Sequence, residues 1–223
     1  MRKVNIITFV LIVASIPMGL VLPEWVFWEN NWIENIQAIV LFGAFLMNLK
    51  WAFTVDGTVE TNQVTRSVAK LMDIGDIVKS VFISEAVLFL VAFGREISWG
   101  RVFYVQSWGA NGPEFPGIKE VWFGPYLPWV LGIAVIVLVY NLWKSRQLIK
   151  HFLCEYKSDH LLRLYLVFFV LGLVLSETVF EKSWISVLEA YHQNFEELFE
   201  LIGYWSAFAV SYRVKELLRR YGR

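Results

Sequence analysis

Six stretches of this chain are mostly apolar for about 20 residues each, the length a helix needs to cross the hydrocarbon of a bilayer. They are Val4–Leu22, Ile33–Phe53, Ile77–Ile97, Phe123–Trp143, Leu161–Phe180 and Phe195–Tyr212. Lipid offers no water to satisfy backbone N–H and C=O groups, so each stretch must close its own hydrogen bonds as a helix. The expected fold is all-α: a polytopic membrane helix bundle with six transmembrane helices. Charged residues make up 18% of the chain, against roughly 25% in soluble domains. The sequence has no internal repeat and no linker rich in Gly, Ser or Pro, so residues 1–223 read as a single transmembrane helical domain. Met1-Arg2-Lys3 ahead of Val4–Leu22 has the look of a signal peptide. The apolar run is longer than the roughly 7–15 residues of such a segment, and no A-x-A site follows it. It reads as a retained first span.

The basic residues alternate between connections. Arg2 and Lys3 precede the first span, and Pro23–Trp32 carries Glu24 and Glu29 with no Lys or Arg. The second connection has Lys50, Arg66, Lys70 and Lys79, and the fourth has Lys144, Arg146, Lys150, Lys157 and Arg163. The fifth has only Lys182, and the end of the chain has Arg213, Lys215, Arg219, Arg220 and Arg223. Basic loops stay cytoplasmic, so this pattern places both termini in the cytoplasm. The third connection departs from it, with Arg95, Arg101 and Lys119 offset by Glu96, Glu114 and Glu120. The expected location is a bacterial inner (plasma) membrane, multi-pass, with membrane lipids as partners. Acids and bases balance at 20 each, which removes any global field for nucleic acid. One cysteine, Cys154, excludes an internal disulfide and a multi-cysteine metal site.

Tryptophans crowd the outer side. Trp25, Trp28, Trp32, Trp99, Trp108, Trp122, Trp129 and Trp184 fall at or near that interface, and Trp51 and Trp143 mark the inner one. An aromatic belt accounts for them singly. Their lopsided distribution points to the outer face as the place for a site.

Carboxylates gather at the same boundary. Glu34 opens the second span with Gln37 one turn on, Glu96 closes the third, and Glu177 and Glu181 close the fifth. Glu196, Glu197 and Glu200 open the sixth, with Tyr204 a turn deeper. Read as one continuous helix, Leu188–Trp205 would place Glu189, His192, Glu196 and Glu200 in a stripe about 80° wide. Glu189-Ala-Tyr-His192 spells E-x-x-H, the spacing of di-iron bundles, which use it twice. Here it occurs once. A divalent metal on Glu189, His192 and Glu196 is thus one expectation; acids placed for the helix dipole are the other. Glu85 sits eleven residues before Glu96, roughly 16 Å deeper by helical rise. An acid at that depth is a functional candidate, with an interhelical hydrogen bond as its structural rival.

The third span ends in "VAFGREISWGRVF". Arg95 and Arg101 can anchor the helix end by snorkelling, or grip an anionic headgroup. Trp99 belongs to the belt and Gly100 can end the helix. The segment after it, rich in Gly and Pro, reads as an ordered re-entrant or lid-like loop. His151 and His160 read as solvated residues of the inner connection.

"ENNWIENIQAIVLF", "GREISWGRVFY" with "NGPEF", and "EELFELIGYW" resemble a group of uncharacterised bacterial multi-pass membrane proteins with an E-[IL]-S-W-G-[QR] motif. The resemblance implies no activity. It singles out Glu29, Glu34, Glu96, Ser98, Trp99, Arg101, Glu197 and Glu200.

Three readings follow. In the first, a membrane-embedded enzyme acts on a lipid or lipid-linked substrate. Glu34, Glu96, Glu197 and Glu200 are then acid–base groups or ligands, and Arg95, Arg101, Trp99 and Tyr204 bind substrate. In the second, Glu85, Glu96 and Glu200 form the acid ladder of a proton-coupled transporter or channel. In the third, the chain is a non-catalytic subunit or assembly factor whose polar groups fix helix packing.

Overall fold

The computed structural model describes residues 1–28, 31–54, 74–109, 112–155 and 159–221. Glu29, Arg66, Lys70, Lys157 and Arg223 lie outside the described residues. Six α-helices of 15 residues or more are found among those described: α1 Arg2–Val21, α2 Trp32–Thr54, α3 Ile74–Glu96, α4 Leu127–Glu155, α5 His160–Val174 and α6 His192–Tyr221. Helix α5 runs on as a π-helix, Leu175–Phe180. Among the described residues the fold is all-α apart from one hairpin, and five helices, α1 to α5, are long and apolar enough to cross a membrane.

Helix α6 falls outside those five, yet it is the centre of the structure. It packs on α1, α2 and α5, while α2 packs on α3 and α3 on α4. Leu198, Leu201, Ile202, Tyr204, Ser206, Ala209, Ser211, Arg213 and Val214 bury every side of it. A helix covered all round needs no apolar face toward lipid, so α6 can carry acids at one end and bases at the other.

Small and polar side chains set the close contacts. The buried residues of α1 are Val4, Thr8, Ser15 and Gly19, a stripe that lets backbones approach as in membrane helix pairs. Trp205 Nε1 donates to Thr8 Oγ1 at 2.9 Å, and a Cβ on Gly19 would lie 2.7 Å from the Phe195 ring. Asn194 Nδ2 donates to the Gly19 and Leu22 carbonyls at 3.0 and 3.2 Å, satisfying the end of α1. Helices α5 and α6 touch backbone to backbone. A Cβ on Gly172 would sit 2.7 Å from Gly203 N and 2.8 Å from both Gly203 Cα and the Phe199 carbonyl oxygen. At the opposite end, Arg213 pairs with Asp159 at 2.6 Å and Glu216 at 3.0 Å. Hydrogen bonding to Asp159 raises the Arg213 pKa and keeps the guanidinium charged. Asp159 also caps α5 by accepting from Leu162 N at 2.8 Å.

Several expectations need correction. Trp51 is no interfacial anchor: it is buried, edge-on to Phe82 at 5.7 Å and stacked on Phe208 at 6.2 Å. Near the C-terminal end of α2 its ring belongs to the core, and Lys215 Nζ covers it at 4.3 Å. His151 and His160 are helical, because α4 continues to Glu155 and α5 starts at His160. The connection after α3 is ordered as a 3-10 turn and a small hairpin, Ser107–Gly109 with Gly112–Glu114.

Candidate functional site

The site forms where the ends of α2, α3, α5 and α6 meet. Arg95 is its hub. Its Nη2 lies 2.8 Å from Glu200 Oε1 of α6 and 2.8 Å from Glu177 Oε1 of the π-helix. The Tyr204 hydroxyl donates to Glu96 Oε1 at 2.7 Å and lies 3.5 Å from Arg95 Nη1. Glu200 and Tyr204 are buried, whereas the Arg95 side chain is 54% exposed. The site thus has a sealed side against α6 and an open side at Arg95.

Local structure explains this placement. Arg95 and Glu96 are the last two residues of α3, so they leave on different sides of the helix end. Glu200 and Tyr204 are one turn apart on α6 and share a face. The π-helix widens the ladder from Leu175 to Phe180, and Glu177 faces Arg95 from within that turn. Such turns occur mostly as single-turn insertions in α-helices, frequently at functional sites. The strained turn after α3 is fixed by Trp99. Ser98, Trp99 and Gly100 all have positive φ, at 45°, 55° and 88°. The Trp99 ring folds back onto α3 so closely that a Cβ on Gly94 would meet it at 2.4 Å.

The second half of the site lies toward α2. Buried Gln37 donates through Nε2 to the Glu197 carbonyl at 2.8 Å and to Glu197 Oε2 at 3.0 Å. Glu197 is within electrostatic reach of Glu34, Glu200 and Glu96. Glu34, Glu96, Glu197 and Glu200 are therefore neighbours although up to 166 positions separate them in the chain. Glu196 interacts with Glu200, Glu181, His192 and Glu177.

Other predicted residues stand apart. Arg101 donates from Nε to the Ser98 carbonyl and from Nη1 to the Pro116 carbonyl, both at 3.2 Å, and so ties the turn to the hairpin loop. The continuous helix expected over Leu188–Trp205 is broken: Ser186–Tyr191 is a 3-10 helix, and the α-helix begins only at His192. At 3.0 residues per turn the first part does not continue the 3.6-residue stripe. The Glu189 side chain lies outside the described residues. Among the described residues, no three His, Cys, Asp or Glu side chains are gathered to hold a metal ion.

An apolar groove of about 420 Å³ runs down from Arg95 and Tyr204. Leu88 and Ala92 of α3, Leu166 and Phe169 of α5, and Ala207 and Val210 of α6 line it. Glu85 and Ser211 close its inner end. No family model, curated protein or solved structure matches the chain.

The sequence places Glu177 among the carboxylates of the outer boundary without singling it out as a catalytic or binding residue. A π-turn has no signature in apolar spacing, so nothing local pointed Glu177 at Arg95. Gln37 carried a signal, since a wholly buried amide inside an apolar span requires a partner.

Proposed function

We propose that this chain is a membrane-embedded enzyme acting on a lipid or lipid-linked substrate at the outer boundary of a bacterial inner membrane. In this reading the chain has six spans with both termini cytoplasmic, the sixth being α6 beside the five helices long and apolar enough to cross a membrane. The inward polar groups of α6 explain why that helix can span despite its charge, and basic residues collect on the opposite side. The carboxylate cluster then lies just beneath the outer headgroups.

One observation carries the reading: the Arg95–Glu200–Tyr204–Glu96 network stands at the mouth of the groove between α3 and α5. A lipid chain in the groove would bring its headgroup to that network. Glu96, hydrogen-bonded to Tyr204, is the proton acceptor, and Tyr204 the group that relays or returns the proton. Arg95 orients Glu200 and Glu177. It is engaged by two carboxylates, and Arg101 by backbone carbonyls, so neither cation is set to grip an anionic headgroup. Glu34, Glu196 and Glu197 add further negative charge. The site suits a hydroxyl or ammonium headgroup better than a phosphate.

The test incubates detergent-purified protein with a bacterial lipid extract and follows every lipid class by mass spectrometry. Wild type should convert one class. Glu96→Gln and Tyr204→Phe should lose that conversion while melting within a few degrees of wild type. A lipid pool left unchanged by folded wild-type protein would overturn the enzyme reading. Glu85 favours a second reading, since it places an acid mid-span on the same groove as Arg95. Proton flux into liposomes that vanishes in Glu85→Gln would support a proton-coupled transporter.

A further inference from the structure

The inner end of the groove is as specific as its mouth. Glu85 and Ser211 are the polar residues of that end, on α3 and α6, and Ser211 Oγ donates to the Ala207 carbonyl at 3.4 Å. One carboxyl oxygen, Glu85 Oε2, is buried and has no hydrogen-bond partner. Buried polar atoms are rarely left in that state, and each exception needs a cause. Leu88, Phe89, Ala92, Leu166, Phe169 and Val210, which lie between the two ends, offer no donor. Of the buried side-chain atoms without a partner among the described residues, Glu85 Oε2 is the one that belongs to the groove lining, where a donor on the groove's occupant would satisfy it.

We infer that Glu85 and Ser211 form a second polar subsite, which binds a hydrogen-bond donor at the far end of the ligand's chain. The ligand class is a long-chain amphiphile with two polar ends: a hydroxyl or amine at the inner end and a hydroxyl or ammonium headgroup at Glu96 and Glu200. The structure sets its length. Ten residues of α3 separate Glu85 from Arg95, ~15 Å at 1.5 Å per residue and roughly the reach of an extended twelve-carbon chain. A simple acyl chain would fill the same walls but leave Glu85 Oε2 without a donor. This inference rests on the groove being a chain-binding site, as proposed above.

The two claims separate in one competition experiment. Equal amounts of dodecylamine and 12-amino-1-dodecanol are added to the full-length protein in micelles, and native mass spectrometry reads the ratio of the two adducts. Wild type should favour the amino alcohol by at least about fivefold, the worth of one net hydrogen bond. Glu85→Leu should bring the ratio to unity or below while still binding both. Ser211→Ala, a milder change, should reduce the preference if Glu85→Leu fails to fold. Ala207→Phe should block both probes. Equal binding in wild type, unchanged by the Glu85 and Ser211 substitutions, would overturn the polar subsite and leave the groove reading intact. Failure of wild type to bind either probe would overturn both.

Discussion

The contact between Gly172 and Gly203 gives the sharpest test of how α5 and α6 are held. An alanine at 172 puts its Cβ 2.7 Å from Gly203 N, 2.8 Å from Gly203 Cα and 2.8 Å from the Phe199 carbonyl oxygen. Carbon contacts are optimal at about 3.5–4.0 Å, so α5 would have to retreat by roughly 1 Å. All three obstacles are backbone atoms, and no rotamer change can relieve them. Overpacking of this kind costs about 1–3 kcal/mol. The gain in helix propensity from Gly to Ala returns at most about 1 kcal/mol. The expected net loss is up to about 2 kcal/mol, or up to ~8 °C in melting temperature for a chain of this size. Gly43 in α2 is the control, because a Cβ there meets nothing within 4 Å. Gly43→Ala should keep the propensity gain and melt at or slightly above wild type. Thermal unfolding of the three proteins in one detergent decides the matter. A Gly172→Ala protein as stable as Gly43→Ala would refute the backbone contact. The same retreat would draw Glu177 away from Arg95, so lipid conversion should fall along with stability.

Two further outcomes can be checked in the same preparations. Arg213→Ala strands the buried carboxylate of Asp159 and should cost about 3–5 kcal/mol in denaturant unfolding; a loss under 1 kcal/mol would show that the pair is solvated. Gly94→Ala should displace the Trp99 ring, and Trp99→Ala should relieve it. A double-mutant cycle in melting free energy should then give a coupling above about 0.5 kcal/mol, and strict additivity would show that the ring does not rest on α3.

The helices were legible because lipid leaves a chain few alternatives. The expected span Ile77–Ile97 differs from α3 by three residues at one end and one at the other. The meeting of Glu96 with Tyr204 was partly legible, since an up-and-down bundle brings alternate helix ends to one side. The breaks in regularity were not. The 3-10 helix before His192 and the π-helix around Glu177 are decided by packing, and apolar periodicity does not register them. Trp51 was misplaced for a related reason: its position in the chain is interfacial, but Phe82, Phe208 and Lys215 enclose it. The contacts of Arg101 were not legible either, because the carbonyls of Ser98 and Pro116 that it meets are set by the turn after α3.

The central place of α6 bears on how the molecule is made. Helix α1 is made well before α6, yet its small-residue stripe finds its main partner there. Until then Thr8 and Ser15 face acyl chains, and Arg95 lacks Glu200. Helix α6 is too polar to partition into lipid unaided, so it must enter against neighbours already in place. Biogenesis should therefore finish in a single late docking step, and a chain stalled before residue 192 should be recognised as unassembled by quality-control proteases.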